Sequence, residues 1–480
     1  MRKYNICLIN ERRELMNFRE SVAYNKNLIT GEIIEVKKNK PELTSAKGVF
    51  TVQLFDAETG EKTYEAKSEN RISAVFANSG YYTAYYASVI DAASDNPLSS
   101  ASDAGVGFCN VLALTDGDIT EDPYDYFMWG NLIGYADVRT VYSGSDSKRG
   151  TVNTIESTRT DNYANGGSCI TSTTRHYVLD FATSAANGTF RSLYLTAMQG
   201  NWGYPNAPMY NRMYKKKTLI GNITYTYLPF ADSTNIYVAN QTNATVYVYN
   251  KSNYAQGNNM TLPATPKGMC WDNVLSCPWL LASDGSFKKL NSADFTVNTS
   301  YTKSASANVV DGTTFTATYI DICVAGSYVI ITAYATSPSV KCWLAIYNKD
   351  GTFVKTVSVA SSASTLFATE IPNSKLLVKN SNGSIYMVYN ISDLSIYSST
   401  PAAGSYDSDD YFLYYKWDND KQVMYTMAGG GSGGLWIMWV VPAGAHTLLA
   451  SPVTKTPTNT MKIQYDVTVD YVYPLDMPPH

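Results

Sequence analysis

At 480 residues the chain is long enough for two to four domains, taking about 150 residues for each. Lys and Arg number 37 against 41 Asp and Glu, a net charge of −4, so no basic excess points to nucleic acid. Hydrophobic residues make up 45%, aromatics 13% and charged residues 16%, which excludes a disordered chain; the stretch 430–441 comes nearest to a membrane span and is too short and too glycine-rich for one.

Thirty-nine tyrosines favour strands, because Tyr packs on a pleated surface and keeps a polar tip. The apolar stretch after Met1 gives way at once to Glu11, Arg12 and Arg13, so a chain made in the cytoplasm without a signal peptide is expected. Seven cysteines with no C-x-x-C spacing (Cys7, Cys109, Cys169, Cys270, Cys277, Cys323, Cys342) fit buried free thiols better than a disulfide framework. Only His176, His446 and His480 offer imidazoles, which argues against a His-based zinc site or triad.

In chain order, residues 1–71 carry 13 Lys/Arg and 11 Asp/Glu, far denser charge than the remainder. Glu11 to Tyr24 predicts a short helix, and Asn25 to Pro41 an extended linker or attachment segment ending in the charged run 35–40. Val49 to Lys67 predicts a hairpin turning at Ala57–Gly60. Apolar residues at 72, 75, 76, 82, 86, 89 and 90 predict a helix, interrupted by Gly80. Strands are predicted at 107–114, 133–142, 152–158, 175–182 and 189–197. Turn formers and aromatics at 201–214 mark a boundary.

The second half repeats. Short strand triplets recur from Ile223, Gly268, Tyr319, Leu366 and Tyr411, the last running to His446-Thr-Leu-Leu. An Asn follows the third strand at 250, 291, 348 and 390, with an aromatic residue or Leu four or five positions on. A period of about 40–50 residues built of four strands predicts a β-propeller, here of five blades. In the tail, Met461, Ile463, Tyr465, Val467, Val469 and Tyr471 alternate with polar residues, a half-buried strand that needs a sheet partner outside the propeller. The expected fold is therefore mainly all-β: an attachment arm and linker (1–45), a β-sandwich with an embedded helix (46–214), a five-bladed β-propeller (215–450), and a C-terminal strand (451–480) returning to the sandwich.

The front and the tail resemble virion proteins of tailed bacteriophages, especially tail or receptor-binding proteins of phages of Gram-positive hosts. The resemblance lies in 51–62 with Lys67–Asn70, Ser145–Asn153 with Glu156 and Ser157, Val178–Phe190, and Lys455–Tyr465. It covers about a third of the chain and includes no catalytic motif. It implies an assembled virion component, a homo-oligomer that contacts other virion proteins, and it brings no functional residues with it.

Candidate chemistry is sparse. Gly430-Gly431-Ser432-Gly433-Gly434 matches G-x-S-x-G, but strands on both sides predict a hairpin loop, not a nucleophile elbow. Asp116, Asp118, Glu121, Asp122 and Asp125 crowd ten residues without EF-hand spacing and read as an acidic turn, as do Asp407, Asp409 and Asp410. Asp272, Asp321 and Glu370 close the first strands of three units and would face one rim of a channel, an arrangement glycoside hydrolysis could use. Of the tryptophans, most are expected in the core. Trp202 and Tyr204, in the turn-rich boundary, are the expected glycan contacts. No catalytic residue, metal site or cofactor is expected. The reading is a non-enzymatic tail component of a phage virion that contacts host-surface polysaccharide or protein, with no nucleic-acid or membrane partner. A glycan depolymerase and a purely architectural baseplate or capsid-decoration protein are the alternatives.

Overall fold

In the computed structural model the described residues are 22–27, 33–37, 46–69, 71–72, 111–122, 127–138, 140–164, 169–196, 213–221, 227–362, 364–380, 386–398, 411–420, 423–429, 434–440 and 445–470. Among them the chain is nearly all antiparallel β; the one helical turn is a 3-10 turn at Ala305–Asn308. Two sheets form a front unit and five four-stranded sheets form a ring.

The larger front sheet has eight strands. Its hairpin is Ala46–Asp56 with Lys62–Glu69, where the alternation predicts one. Asn459–Asp470 lies between Ala46–Asp56 and Cys169–Phe181 and pairs with both along its length. The smaller front sheet runs Arg71–Ile72, Ala445–Lys455, Gly188–Thr196, Val111–Thr115, Leu132–Asp137. Phe50, Val52, Leu179 and Ile463 from the first sheet share one core with Leu112, Leu193, Phe190 and Leu449 from the second. Each such side chain removed from water contributes about 1.5–3 kcal/mol, which is why the period-2 pattern fixes which face of each strand turns inward.

Several expectations change here. Val22–Asn27 is a strand paired with Ile33–Lys37 and with the hairpin, so the helix expected to reach Tyr24 does not. The same pairing puts residues 25–27 and 33–37 in the sheet, where an extended linker is expected over Asn25 to Pro41; cross-strand hydrogen bonds outweigh local propensity. Ile72 is in a strand, and the rest of the helix expected over 72–90 lies outside the described residues, as does Glu11–Ser21. The strand expected at 152–158 is two, Thr151–Val152 and Thr158–Ala164, separated by a turn.

The ring sheets are numbered I to V. Their first strands are Tyr227–Ala231, Pro266–Asp272, Thr318–Ala325, Leu366–Ile371 and Tyr411–Asp418. These strands touch in cyclic order, with V returning to I. Sheets II and III approach closely because residue 268 is Gly: a Cβ there would lie 2.7 Å from the Ile322 nitrogen and 2.9 Å from the Asp321 Cα.

Sheet V closes the ring by an unexpected route. Its fourth strand is Met213–Gly221, paired with Gly434–Val440. The residues expected to fill that place, from His446, instead pair with Gly188–Thr196 in the front unit. The outer position of sheet V is already taken, so the return to the front unit begins at Ala445 and not at 451. The first strand of sheet I likewise begins at Tyr227, and residues 222–226 lie outside the described residues. Flanking strands Val423–Gly429 and Gly434–Val440 leave no helix after the G-x-S-x-G glycines, whose residues 430–433 lie outside the described residues.

The recurring Asn ends or directly follows the third strand of sheets I to IV. In sheets I, II and IV its carbonyl accepts from Tyr254, Phe295 and Leu394 at 2.8–2.9 Å, and these three have φ near +60°. A non-glycine residue in the left-handed region is strained. Here the strain is offset by packing: Phe295 and Leu394 are buried and Tyr254 packs on the same core as Phe295. Sheet III turns more tightly, with Gly351 donating to Asn348.

Candidate functional site

The C-terminal ends of the first strands surround a cleft of about 560 Å3. Register places it. Asp418 pairs with Val423, Val423 with Trp439, and Tyr214 with Trp439, so this end of the ring is the one where the chain enters at Met213 and leaves at Val440. The cleft therefore opens toward the front unit, which adds Asp122 to its lining.

The connection between Val111–Thr115 and Leu132–Asp137 makes that junction. Phe127 and Trp129 enter the ring's core, with Phe127 edge-on to Trp417 at 5.1 Å and Trp129 edge-on to Tyr397 at 6.2 Å. The acidic stretch in this connection serves as joinery. Asp116 accepts from the Asn131 backbone N–H at 2.5 Å, and Glu121 Oε1 accepts from the Leu448 N–H at 2.8 Å. Tyr397 Oη donates to Asp118 at 3.3 Å. Asp125, Asp407, Asp409 and Asp410 lie outside the described residues.

Lys416 forms the cleft floor. Its Nζ donates to Asp321 Oδ2 at 2.7 Å, to the Ile322 carbonyl at 2.7 Å and to the Ala368 carbonyl at 3.2 Å. Three acceptors match the three N–H bonds of an ammonium. Burial works against the charge on Lys416, but the Asp321 carboxylate together with the Cys323 and Cys270 thiols turns the net direction up. Lys349 lies 2.9 Å from Asp272, whose Oδ1 also accepts from the Val274 and Leu275 backbone N–H groups and shapes that hairpin. Lys251 lies 2.8 Å from buried Asp418, joining sheet I to sheet V.

Of the three carboxylates expected on one rim, only Asp272 and Glu370 line the cleft; Asp321 lies midway along Thr318–Ala325, bonded to Lys416, and two of the three are neutralised. Asp321 is 0% exposed and Asp272 1% exposed, each with its own lysine. Glu370 alone remains exposed, accepting from the Gly326 N–H at 3.2 Å. Its carboxyl sits low enough in the cleft that desolvation pushes its pKa up.

Two aromatic walls complete the cleft. Trp271 is stacked on Tyr237 with ring centroids 5.8 Å apart, and Trp417 rests on Phe127; both are partly exposed. Trp129, Trp279, Trp343 and Trp436 are buried in the core. Trp202 and Tyr204, the expected glycan contacts, lie outside the described residues. The expectation that most tryptophans are core does not single out Trp271 and Trp417. The signal that would have singled them out is a repeated Trp-Asp-Asn, at 271–273 and 417–419, at the same position of two units.

The other candidates are structural. Cys270, Cys277, Cys323 and Cys342 are free and buried, and desolvation pushes Cys270 and Cys323 up, away from reactive thiolates. His446 stacks on Tyr194 at 4.3 Å, and His176 meets Asp466 at 2.6 Å. No cluster of metal-ligating side chains occurs among the described residues. No helix there is long and apolar enough to cross a membrane.

No family model matches the chain, and no curated protein matches it. Among solved structures it is similar to Kuenenia stuttgartiensis hydrazine synthase at 12% identity and TM-score 0.26, over 41% of this chain and 61% of that one. It is also similar to Myxococcus xanthus glutaminyl cyclase at 10% identity and TM-score 0.32, over 48% of this chain and 95% of that one. Both likenesses fall below the level of a shared fold.

Proposed function

We propose that this chain is a structural protein of a tailed-phage virion, a receptor-binding or tail-fibre component that holds host-surface glycan without catalysis. In this reading the two front sheets are a β-sandwich that contacts other virion proteins, and the protein assembles as a homo-oligomer. The ring is a five-bladed β-propeller; its support is the cyclic contact of five four-stranded sheets, with the last completed by a strand from the chain's entry side.

The observation that carries the binding reading is the cleft between Trp271 and Trp417. Partly exposed indoles beside polar side chains suit a sugar ring, which offers apolar C–H faces and hydroxyls together. The charge pairing argues against hydrolysis. Two-carboxylate glycosidases need both acids facing the scissile bond, about 5–9.5 Å apart. Asp272 and Asp321 are buried and held by lysines, so neither can serve beside Glu370 as the second acid.

Sedimentation of the purified protein with isolated Gram-positive cell walls tests this, followed by analysis of the supernatant for released saccharide. Co-sedimentation with no released product is the expected result. Released oligosaccharide would establish the depolymerase reading instead. Antibody labelling of intact virions addresses the architectural alternative, because a ring enclosed by other components cannot act as an adhesin.

A further inference from the structure

The cleft carries a charge imbalance that its own residues do not correct. Among the described residues lining it, Lys349 and Lys416 are the only cations. Each is already engaged, Lys349 with Asp272 and Lys416 with Asp321. Glu370 takes one backbone N–H and no ion pair among the described residues; the cation nearest in effect, Lys349, is already paired with Asp272. A carboxylate in a partly desolvated cleft is stabilised most by a cation that arrives with the ligand. The indoles favour the same partner, since a cation over a Trp face gains from the ring quadrupole. Tyr237 covers one side of Trp271, and the exposed part of that ring lies in the cleft.

We infer that the cleft selects a saccharide bearing a primary ammonium, an amino sugar, with its ammonium on Glu370 and its ring against Trp271 and Trp417. The inference rests on the glycan-binding reading and sharpens it from sugars in general to one charge class. A neutral hexose would leave Glu370 without an ion-pair partner of its own. An anionic sugar would meet the Glu370 carboxylate and lysines already paired with aspartates.

The probe is a β-1,4-linked glucosamine tetrasaccharide, compared with its fully N-acetylated counterpart by calorimetric titration against the full chain and Glu370→Gln. N-acetylation keeps the sugar skeleton and removes the charge. The amine form is expected to bind at least tenfold tighter than the acetylated form. Glu370→Gln is expected to abolish that preference while its thermal melt stays that of the parent. Equal affinity of the parent for the two forms, an unchanged preference in Glu370→Gln, or no binding of the amine form would each overturn the inference. If the variant fails to fold, the comparison on the parent chain alone still decides. Wall sedimentation keeps the two ideas apart: walls that bind while the two tetrasaccharides bind alike sink the charge selectivity and spare the glycan reading.

Discussion

Lys416 Nζ lies 2.7 Å from Asp321 Oδ2, and the two residues come from sheets V and III, which are not neighbours in the ring. The contact therefore reaches past sheet IV, whose Ala368 carbonyl also accepts from Lys416, and ties three sheets together. Removing the lysine would leave Asp321, 0% exposed, without its counter-charge. Breaking one side of a buried pair typically costs about 3–5 kcal/mol. Lys416→Met should lower the denaturant midpoint accordingly, and adding Asp321→Leu should recover much of the loss. A single variant within about 0.5 kcal/mol of the parent, the range of ordinary surface changes, would show that the tie contributes little.

Ring closure gives a second prediction. Met213–Gly221 supplies the outer strand of sheet V although it precedes sheet I in the chain. A fragment of residues 213–440 should unfold in one cooperative transition. A fragment of 222–440 leaves Gly434–Val440 as an uncovered edge and should melt broadly or aggregate. Identical melts for the two fragments would mean that the closing strand is dispensable.

The front unit should prove equally sensitive at its last strand. Ile463 is 0% exposed and sits opposite Val52 on one side and Leu179 on the other. Ile463→Ala should cost about 2–5 kcal/mol through lost burial and the cavity left behind. Its neighbour Gln464, half-buried on the other face, should tolerate Ala within about 0.5 kcal/mol. Similar losses at both positions would contradict the inward and outward assignment.

That strand was legible because its period-2 pattern, Met461 to Val467, needs only neighbouring residues to be read. The repeated Asn turns were legible for the same reason: their hydrogen bonds close over four or five residues. The closing strand was not. Its Lys215-Lys216-Lys217 run masks any alternation, and its partner lies more than two hundred residues away. The cleft was half legible. Asp272 and Glu370 lie at the ends of their first strands and share the cleft, whereas Asp321 sits midway along Thr318–Ala325, and no spacing rule ties Lys416 to Asp321, 95 positions apart, or Lys349 to Asp272, 77 apart. Neutralisation of those acids is a property of the closed ring.

Acid should weaken the ring through its turns. Hydrogen bonds from the Thr296 and Ser395 backbone N–H groups hold Asp294 and Asp393 below the ordinary aspartate value, and Thr352 does the same for Asp350. A carboxyl whose folded pKa is depressed contributes stability that is complete above its unfolded value, near pH ~4, and is lost as the pH falls through the folded value. Denaturant midpoints measured downward from pH 6 should therefore decline below that point. Asp294→Asn with Asp393→Asn should make the decline shallower, since the amide oxygen still accepts and does not titrate there. An unchanged acid slope in the double variant would exclude the turns as its source.

Salt should matter little to wall adsorption. The lysines at the cleft are held by aspartates, so they offer no basic surface to a polyanionic wall polymer. One ammonium on Glu370 adds a single ion pair, and that pair lies in a cleft that limits access of counter-ions. Screening acts chiefly on exposed charges separated by more than the Debye length, about 8 Å at 0.15 M ionic strength. Adsorption to walls measured from 0.05 to 0.5 M NaCl, roughly 14 to 4 Å in Debye length by the same scaling, should fall by no more than a few-fold. A fall of a hundredfold or more would mean that many charges engage together. The ligand would then be an anionic polymer lying on lysines outside the cleft, and the Trp271–Trp417 site would lose its part in adhesion.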